Sequence, residues 1–239
     1  MDQKTTVIQR INIAIDGFSA CGKSTLAKDL ARVLDYVFVD SGAMYRAATL
    51  FALRRGFMDE DGYLHKDDFI AALPEMDINF QFRTNFKKSH VYLNGSDVEE
   101  EIRKSYLAKR VSTIASIPEL RQKLVKLQQE MGARKGVVMD GRDIGTVVFP
   151  DAELKLFITA TIDERVKRRL LEMRENGQQI SRAELKKDLE ARDHQDMTRT
   201  TDPLTQAKDA KVIDNTDLSR EEQLDLVLEM VNKTLASKK

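Results

Sequence analysis

Gly17-Phe18-Ser19-Ala20-Cys21-Gly22-Lys23-Ser24 satisfies every fixed position of the pattern G-x-x-x-x-G-K-[ST]. The pattern has a physical logic. Glycines allow backbone angles that a side chain resists, so successive N–H groups converge on phosphate oxygens at the positive end of the following helix. Lys23 supplies a cation for the β- and γ-phosphates, and Ser24 supplies a hydroxyl for Mg²⁺. The flanking sequence agrees. Ile11, Ile13 and Ile15 alternate into Asp16 as a strand, and Leu26, Leu30, Val33 and Leu34 fall on one face of a helix. The expected nucleotide-binding residues are therefore Gly17, Phe18, Ser19, Ala20, Cys21, Gly22, Lys23, Ser24 and Thr25. Ser19 is not the nucleophile of a G-x-S-x-G elbow, because Cys21 stands at the second glycine position.

Outward from the loop, Tyr36-Val37-Phe38-Val39 reads as a second buried strand, and Ala43 to Arg55 as a helix. Further core strands are read at 136–139, 153–159 and 211–213, with a closing amphipathic helix over 219–236. The alternation predicts a three-layer α/β fold with a central parallel five-stranded sheet. Ile78 to Phe82 and His90 to Leu93 are short strands followed by an Asn94-Gly95 turn, so about 60–104 is a small mixed insertion. Helical signals fill 105–134, with a break at Pro118. The charged helical stretch at about 163–190, around Asn176-Gly177, suits a lid that closes over donor phosphates and excludes water. Arg165, Lys167, Arg168 and Arg169 are its candidate donor contacts. The core is then about 8–59, 105–162 and 200–237 of a single unit.

Lysine plus arginine number 39, as do aspartate plus glutamate, so no bulk field draws nucleic acid or membrane, and an anion must be gathered by locally placed arginines. Cys21 is the single cysteine, which excludes an internal disulfide and fits a reducing compartment. Met1 to Thr6 has no apolar signal core, and no apolar run reaches the roughly 20 residues that span a bilayer. A cytoplasmic monomer is the expectation. His65, His90 and His194 are too scattered to form a metal site.

Three further segments narrow the chemistry. Asp40-Ser41-Gly42-Ala43-Met44-Tyr45-Arg46 resembles the D-S-G-A-x-Y-R signature of the cytidylate kinases. Asp140 to Pro150 resembles their D-G-R-D-x-G-T-V-V-F-P signature, and Arg192-Asp193-His194-Gln195-Asp196-Met197-Thr198-Arg199 resembles R-D-x-x-D-x-x-R. Ser112 and Arg121 fall where that family has S-x-x-A-x-x-P-x-[VL]-R. Order and spacing agree over nearly the whole chain. The resemblance implies transfer of the γ-phosphoryl of ATP, with Mg²⁺, to CMP and dCMP, and an acceptor-binding role for the insertion.

A nucleoside monophosphate already presents an anionic oxygen, so no general base is required. The task is to bring two polyanions into line, and guanidinium forks suit it. By resemblance, Arg46, Arg142 and Arg199 contact phosphate, with Lys23, Arg142 and Arg199 catalytic. Ser41, Arg121 and Asp143 read the cytosine. Arg192, Asp196 and Ser112 hold the sugar, and Tyr45 packs against the nucleotide. Aspartate accepts from the cytosine amine, whereas uracil would turn a carbonyl toward it. The spacing of Arg192, Asp196 and Arg199 also suits salt bridges along one helix face.

Phe18, Ala20 and Cys21 replace the family's usual Pro, Gly and Ala, and Gln195 stands where many relatives carry a basic residue. Ala20 raises the question of a positive φ, and Cys21 would be a reactive thiol if exposed. A different small acceptor and a guanine-nucleotide switch are the rival readings. The switch lacks an N-K-x-D segment, since Asn215-Thr216-Asp217 has no lysine.

Overall fold

The computed structural model describes residues 9–59, 61–83, 88–108, 110–175 and 177–237. Residues 1–8 and Asn176, which entered the sequence reading, lie outside the described residues. The core opens with β1 (Ile13–Gly17), α1 (Lys23–Leu34), β2 (Val37–Asp40) and α2 (Ser41–Arg54). The insertion holds α3 (Lys66–Ala72), β3 (Ile78–Arg83), β4 (Lys88–Leu93), β5 (Ser96–Asp97) and a 3₁₀ turn at Glu101–Arg103. Then follow α4 (Ser105–Ala108), α5 (Val111–Ala115), α6 (Pro118–Gly132), β6 (Val137–Gly141) and β7 (Leu154–Thr159). The chain closes with α7 (Ile162–Glu175), α8 (Arg182–Thr198), β8 (Lys211–Asp214) and α9 (Arg220–Ala236).

The large sheet is parallel, in the order β2-β6-β1-β7-β8. Central β1 is buried along its whole length, because helices cover both faces. Ile13 and Ile15 pack with Leu26 and Leu30 of α1 and Val227 and Val231 of α9. Ala14 points the other way, into a cluster with Val39, Met139, Ile144 and Phe149. Register decides where the chemistry sits. Asp16 pairs with Gly141 and Asp40 with Asp140, so β1, β2 and β6 end along one edge. In such a sheet, that edge is where ligands bind. Gly17 (φ 141°) is required there, since a Cβ would lie 2.0 Å from the Ile158 carbonyl oxygen.

The insertion has no separate core. Phe69, Ile78, Val91 and Ile102 share one apolar cluster with Met44, Leu50 and Phe51 of α2 and with Leu120 and Leu124 of α6. Burying both together fixes the insertion against the core.

Three details differ from the sequence reading. Val33 is 52% exposed, because it lies on the rim of the α1 face that buries Leu26, Ala27, Leu30 and Ala31. β2 is an edge strand, so Val37 is exposed although Val39 is buried. The Asn94-Gly95 turn joins β4 to the short β5, a strand too brief to leave a periodic pattern. No helix among the described residues is long and apolar enough to cross a membrane.

Residues Ile144–Val148 wind into a single π-helical turn after β6, and Phe149 then packs on Gly132. A Cβ on Gly132 would lie 2.3 Å from the Phe149 ring, so Gly132→Ala overpacks this seat. The expected loss is about 1–3 kcal/mol, read as a lowered urea midpoint at unchanged slope.

Candidate active site

The phosphate loop runs from Gly17 to Ser24, with Gly22 at φ 95° turning the chain into α1. Ala20 has φ 59°, so the loop does use a left-handed residue there. Lys23 is buried, and its ammonium donates to the Phe18 carbonyl. Burial, with Arg142 nearby, pulls the Lys23 ammonium below its ordinary range. Ser24 Oγ donates to Asp140 Oδ2 at 2.5 Å. The other oxygen, Asp140 Oδ1, is buried without a hydrogen-bond partner among the described residues. Burial and the neighbouring Asp40 charge push the Asp140 carboxyl up to about 6.

Asp16 has a different task. Its two oxygens accept the N–H groups of Ile144 and Gly145 at 2.8 and 2.7 Å, fastening the π-helical turn to β1. Burial nevertheless pushes its carboxyl up to about 7. Sequence alone could not separate Asp16 from Asp140; the hydrogen bonds do.

Cys21 is fully buried, and its thiol donates to the Phe18 carbonyl at 3.0 Å. The exposure that a reactive thiol requires is absent, so Cys21 is packing in the core with Ile15 and Leu26. Asn215 Nδ2 donates to the Cys21 carbonyl at 2.8 Å, bracing the loop. Asn215 is thus a buried brace.

Opposite the loop, arginines from four parts of the chain converge. Arg46 of α2 bonds Asp40 at 2.8 Å, where Asp40 also caps the helix through the Ala43 N–H. Arg142, just past β6, bonds Asp196 of α8 at 2.6 Å. Arg121 of α6, 1% exposed, donates to Asp143 and bonds Asp202 at 2.8 Å, and its guanidinium lies 5.4 Å from the Tyr45 ring centroid. Arg199 donates to the Asp202 carbonyl and lies 3.7 Å from Asp143 and 3.9 Å from Asp196. Arg192 Nε is buried without a hydrogen-bond partner among the described residues. Burial, then the Arg142 cation, pushes its guanidinium down to about 10. Like charges held this close in a cleft favour an anion between them.

The serines are placed unequally. Ser41 Oγ donates to the Asp140 carbonyl at 2.7 Å and keeps lone pairs for a donor. Ser112 is half-buried on α5, which packs against α8. Thr25 is exposed on the first turn of α1.

Among the lid candidates, Arg165 meets the phosphate loop and Arg168 meets Asn215, which braces it. Arg165 bonds Asp193 at 2.5 Å and the Ser19 carbonyl at 3.3 Å, and lies 5.2 Å from the Phe18 ring centroid. Arg168 bonds the Asn215 carbonyl at 2.6 Å. Lys167 and Arg169 pair with Glu164 and Glu172 of their own helix. α8 runs unbroken through residue 190 to Thr198, so one rigid element joins this stretch to Arg192 and Asp196.

The match to known proteins is extensive. The family model described as cytidylate kinase matches residues 13–233. A cytidylate kinase of Flavobacterium psychrophilum is 50% identical over 225 residues, covering 94% of this chain and 99% of that one. A cytidylate kinase of Phocaeicola vulgatus is 49% identical over 216 residues, covering 90% of this chain and 94% of that one. The chain belongs to the cytidylate kinase family.

Within that family frame, several residues at the site carry no signal in the sequence. Asp202 is held by a left-handed turn (φ 47°) in an irregular segment, and Arg103 reaches Asp40 from the insertion, 63 residues away. Asp193 is legible only as part of R-D-x-x-D-x-x-R, yet it is the partner of Arg165. Among the described residues no cluster of three or more His, Cys, Asp or Glu could hold a metal ion by itself.

Asp196 allows a test of sign. Burial opposes its ionisation, but the Arg142 guanidinium outweighs that and holds the carboxyl below its ordinary range. The resulting stability is present above the unfolded value near 4 and is lost as pH falls through the lower folded value. Asp196→Asn should therefore cost about 1–3 kcal/mol in urea unfolding of the ligand-free protein at neutral pH. The gap from wild type should narrow as pH falls below about 4 and go on closing through the lower folded value.

Proposed function

We infer that the arginine cluster facing the phosphate loop is the acceptor site of a reaction that passes the γ-phosphoryl group of ATP to CMP, with dCMP as a further acceptor. CMP phosphorylation by ATP follows from membership of the cytidylate kinases. The observation that carries the acceptor reading is the convergence of Arg46, Arg142, Arg192 and Arg199 opposite Lys23, with burial and mutual repulsion acting on Arg192.

The division of labour follows from charge. The acceptor phosphate needs no proton removed, so the barrier lies in approach and alignment of two anions. Arg46, Arg142 and Arg199 hold the acceptor phosphate. Lys23 and the loop N–H groups hold the donor phosphates, with Arg142 placed between. The base is read by Asp143 and Arg121, which are already paired and so pre-oriented, with Ser41 beside them. Asp143 accepts the cytosine amine; a uracil carbonyl there would face a desolvated carboxylate. Arg192, Asp196 and Ser112 lie toward the sugar. The insertion closes the acceptor side, and α7 with α8 the donor side.

A hard divalent cation fits the donor end. Ser24 Oγ and Asp140 meet at 2.5 Å, and Asp140 keeps one buried oxygen without a partner. Magnesium is held mainly by water and phosphates, with one or two protein oxygens, so Ser24 directly and Asp140 through water would hold it. When bound it would offset the charge of the donor phosphates.

The test is ADP release, coupled to an indicator reaction, with CMP, dCMP, UMP, AMP and shikimate as acceptors. Saturable turnover is expected with CMP and dCMP, and weaker turnover with UMP. Arg142→Met should lower kcat/KM for CMP by about 10²–10³. Saturable turnover with AMP and none with CMP would overturn the reading.

A further inference from the structure

Asp40 holds two cations at once. Its Oδ1 accepts the Ala43 N–H at 2.9 Å. Its Oδ2 accepts from Arg46 Nη2 at 2.8 Å and from Arg103 Nη1 at 2.7 Å. Arg103 arrives from the 3₁₀ turn that ends the insertion, and Glu99 grips its Nε and Nη2 at 3.0 and 2.8 Å, leaving Nη1 for Asp40. Arg46 Nε is buried without a hydrogen-bond partner among the described residues. Arg46 is thus held by one nitrogen, through one oxygen that it shares.

That sharing has a consequence for an arriving phosphate. A carboxylate facing one guanidinium settles into a two-pronged pair that occupies both prongs and cancels the charge. With Oδ1 engaged by the Ala43 N–H and Oδ2 shared with Arg103, Asp40 meets Arg46 through a single bond. Arg46 keeps prongs and charge for an anion. The geometry points to Arg103 as a positioning residue of the acceptor site, which competes with Arg46 for Asp40 and so keeps Arg46 available to the acceptor phosphate. This rests on the proposed role of Arg46 toward that phosphate. It also makes acceptor affinity depend on how the insertion is seated, because Arg103 is carried by the insertion and Arg46 by the core.

The experiment is a double-mutant cycle in steady-state kinetics of the full chain, varying CMP and ATP separately. Arg103→Met should raise KM for CMP about tenfold, while KM for ATP stays within about twofold of wild type. Arg103→Lys, which keeps one donor for Asp40, should recover most of the loss. Asp40→Asn still accepts the Ala43 N–H and so keeps the helix cap. In that background, Arg103→Met should change KM for CMP by less than about twofold, because the competition no longer exists. An undiminished effect in the Asp40→Asn background overturns the proposal, as does an equal rise in both KM values with a lowered melting temperature. Arg46→Met, run in parallel, separates the two levels. If it leaves KM for CMP unchanged, the acceptor-phosphate reading of Arg46 fails. If it raises KM while Arg103→Met does not, only the role of Arg103 fails.

Discussion

Several guanidinium groups gathered in one part of the fold must be held there, largely buried and beside others of their kind. Each such group loses hydration and gains repulsion. The structure meets this constraint with aspartates: Asp40 for Arg46, Asp196 for Arg142, Asp143 and Asp202 for Arg121. Ion pairs of this kind contribute little net stability, because desolvation cancels most of the attraction. Their effect is geometric. They hold long, flexible side chains in one orientation at the edge where β1, β2 and β6 end, so that little ordering remains to be done when an anion binds. Arg192, whose Nε has no such bond among the described residues, has its guanidinium pushed down to about 10 by burial and then by the Arg142 cation.

The same edge explains why acidic residues at strand ends have unlike roles. Asp16, Asp40 and Asp140 close three neighbouring strands, and the register brings Asp40 directly beside Asp140. Asp16 spends both oxygens on backbone N–H groups and is structural. Asp40 spends its oxygens on a helix cap and two arginines, which hold its carboxyl far below the ordinary range against the cost of burial. Asp140 spends one oxygen on Ser24 and keeps the other. Strand position sets where a carboxylate stands, and the hydrogen bonds it meets set what remains for a ligand.

This distinction marks how far the sequence could be read. The phosphate loop and the five parallel strands were legible from local spacing, glycine and lysine around a turn and alternation in a strand, whereas the arginines were legible through contiguous signatures that resemble those of a known family. Arg103 and Asp202 were not. Their positions depend on the insertion sharing its apolar core with α2 and on an irregular loop after α8, neither of which leaves a local pattern. Cys21 shows the reverse case: its neighbours in sequence suggested reactivity, but packing against Ile15 and Leu26 removes it from solvent.

The departures within the loop also acquire a common direction. Phe18 lies 5.2 Å from the Arg165 guanidinium and edge-on to Phe157 at 5.9 Å. Ala20 packs against the cluster of Val166, Leu185 and Leu189 formed by α7 and α8. A left-handed alanine costs about 1–2 kcal/mol relative to an unstrained backbone. Against this stand at most roughly 0.8 kcal/mol for the partly buried methyl and about 0.5–1 kcal/mol of chain entropy that glycine would lose on folding. The terms nearly cancel, so alanine is tolerable there only because a helical surface receives its methyl group. The loop therefore has two faces under separate constraints. Gly17 and Gly22 hold positive φ, Lys23 turns back to the Phe18 carbonyl and Ser24 bonds Asp140. Phe18 and Ala20 also meet side chains of α7 and α8, so their size is tied to that packing.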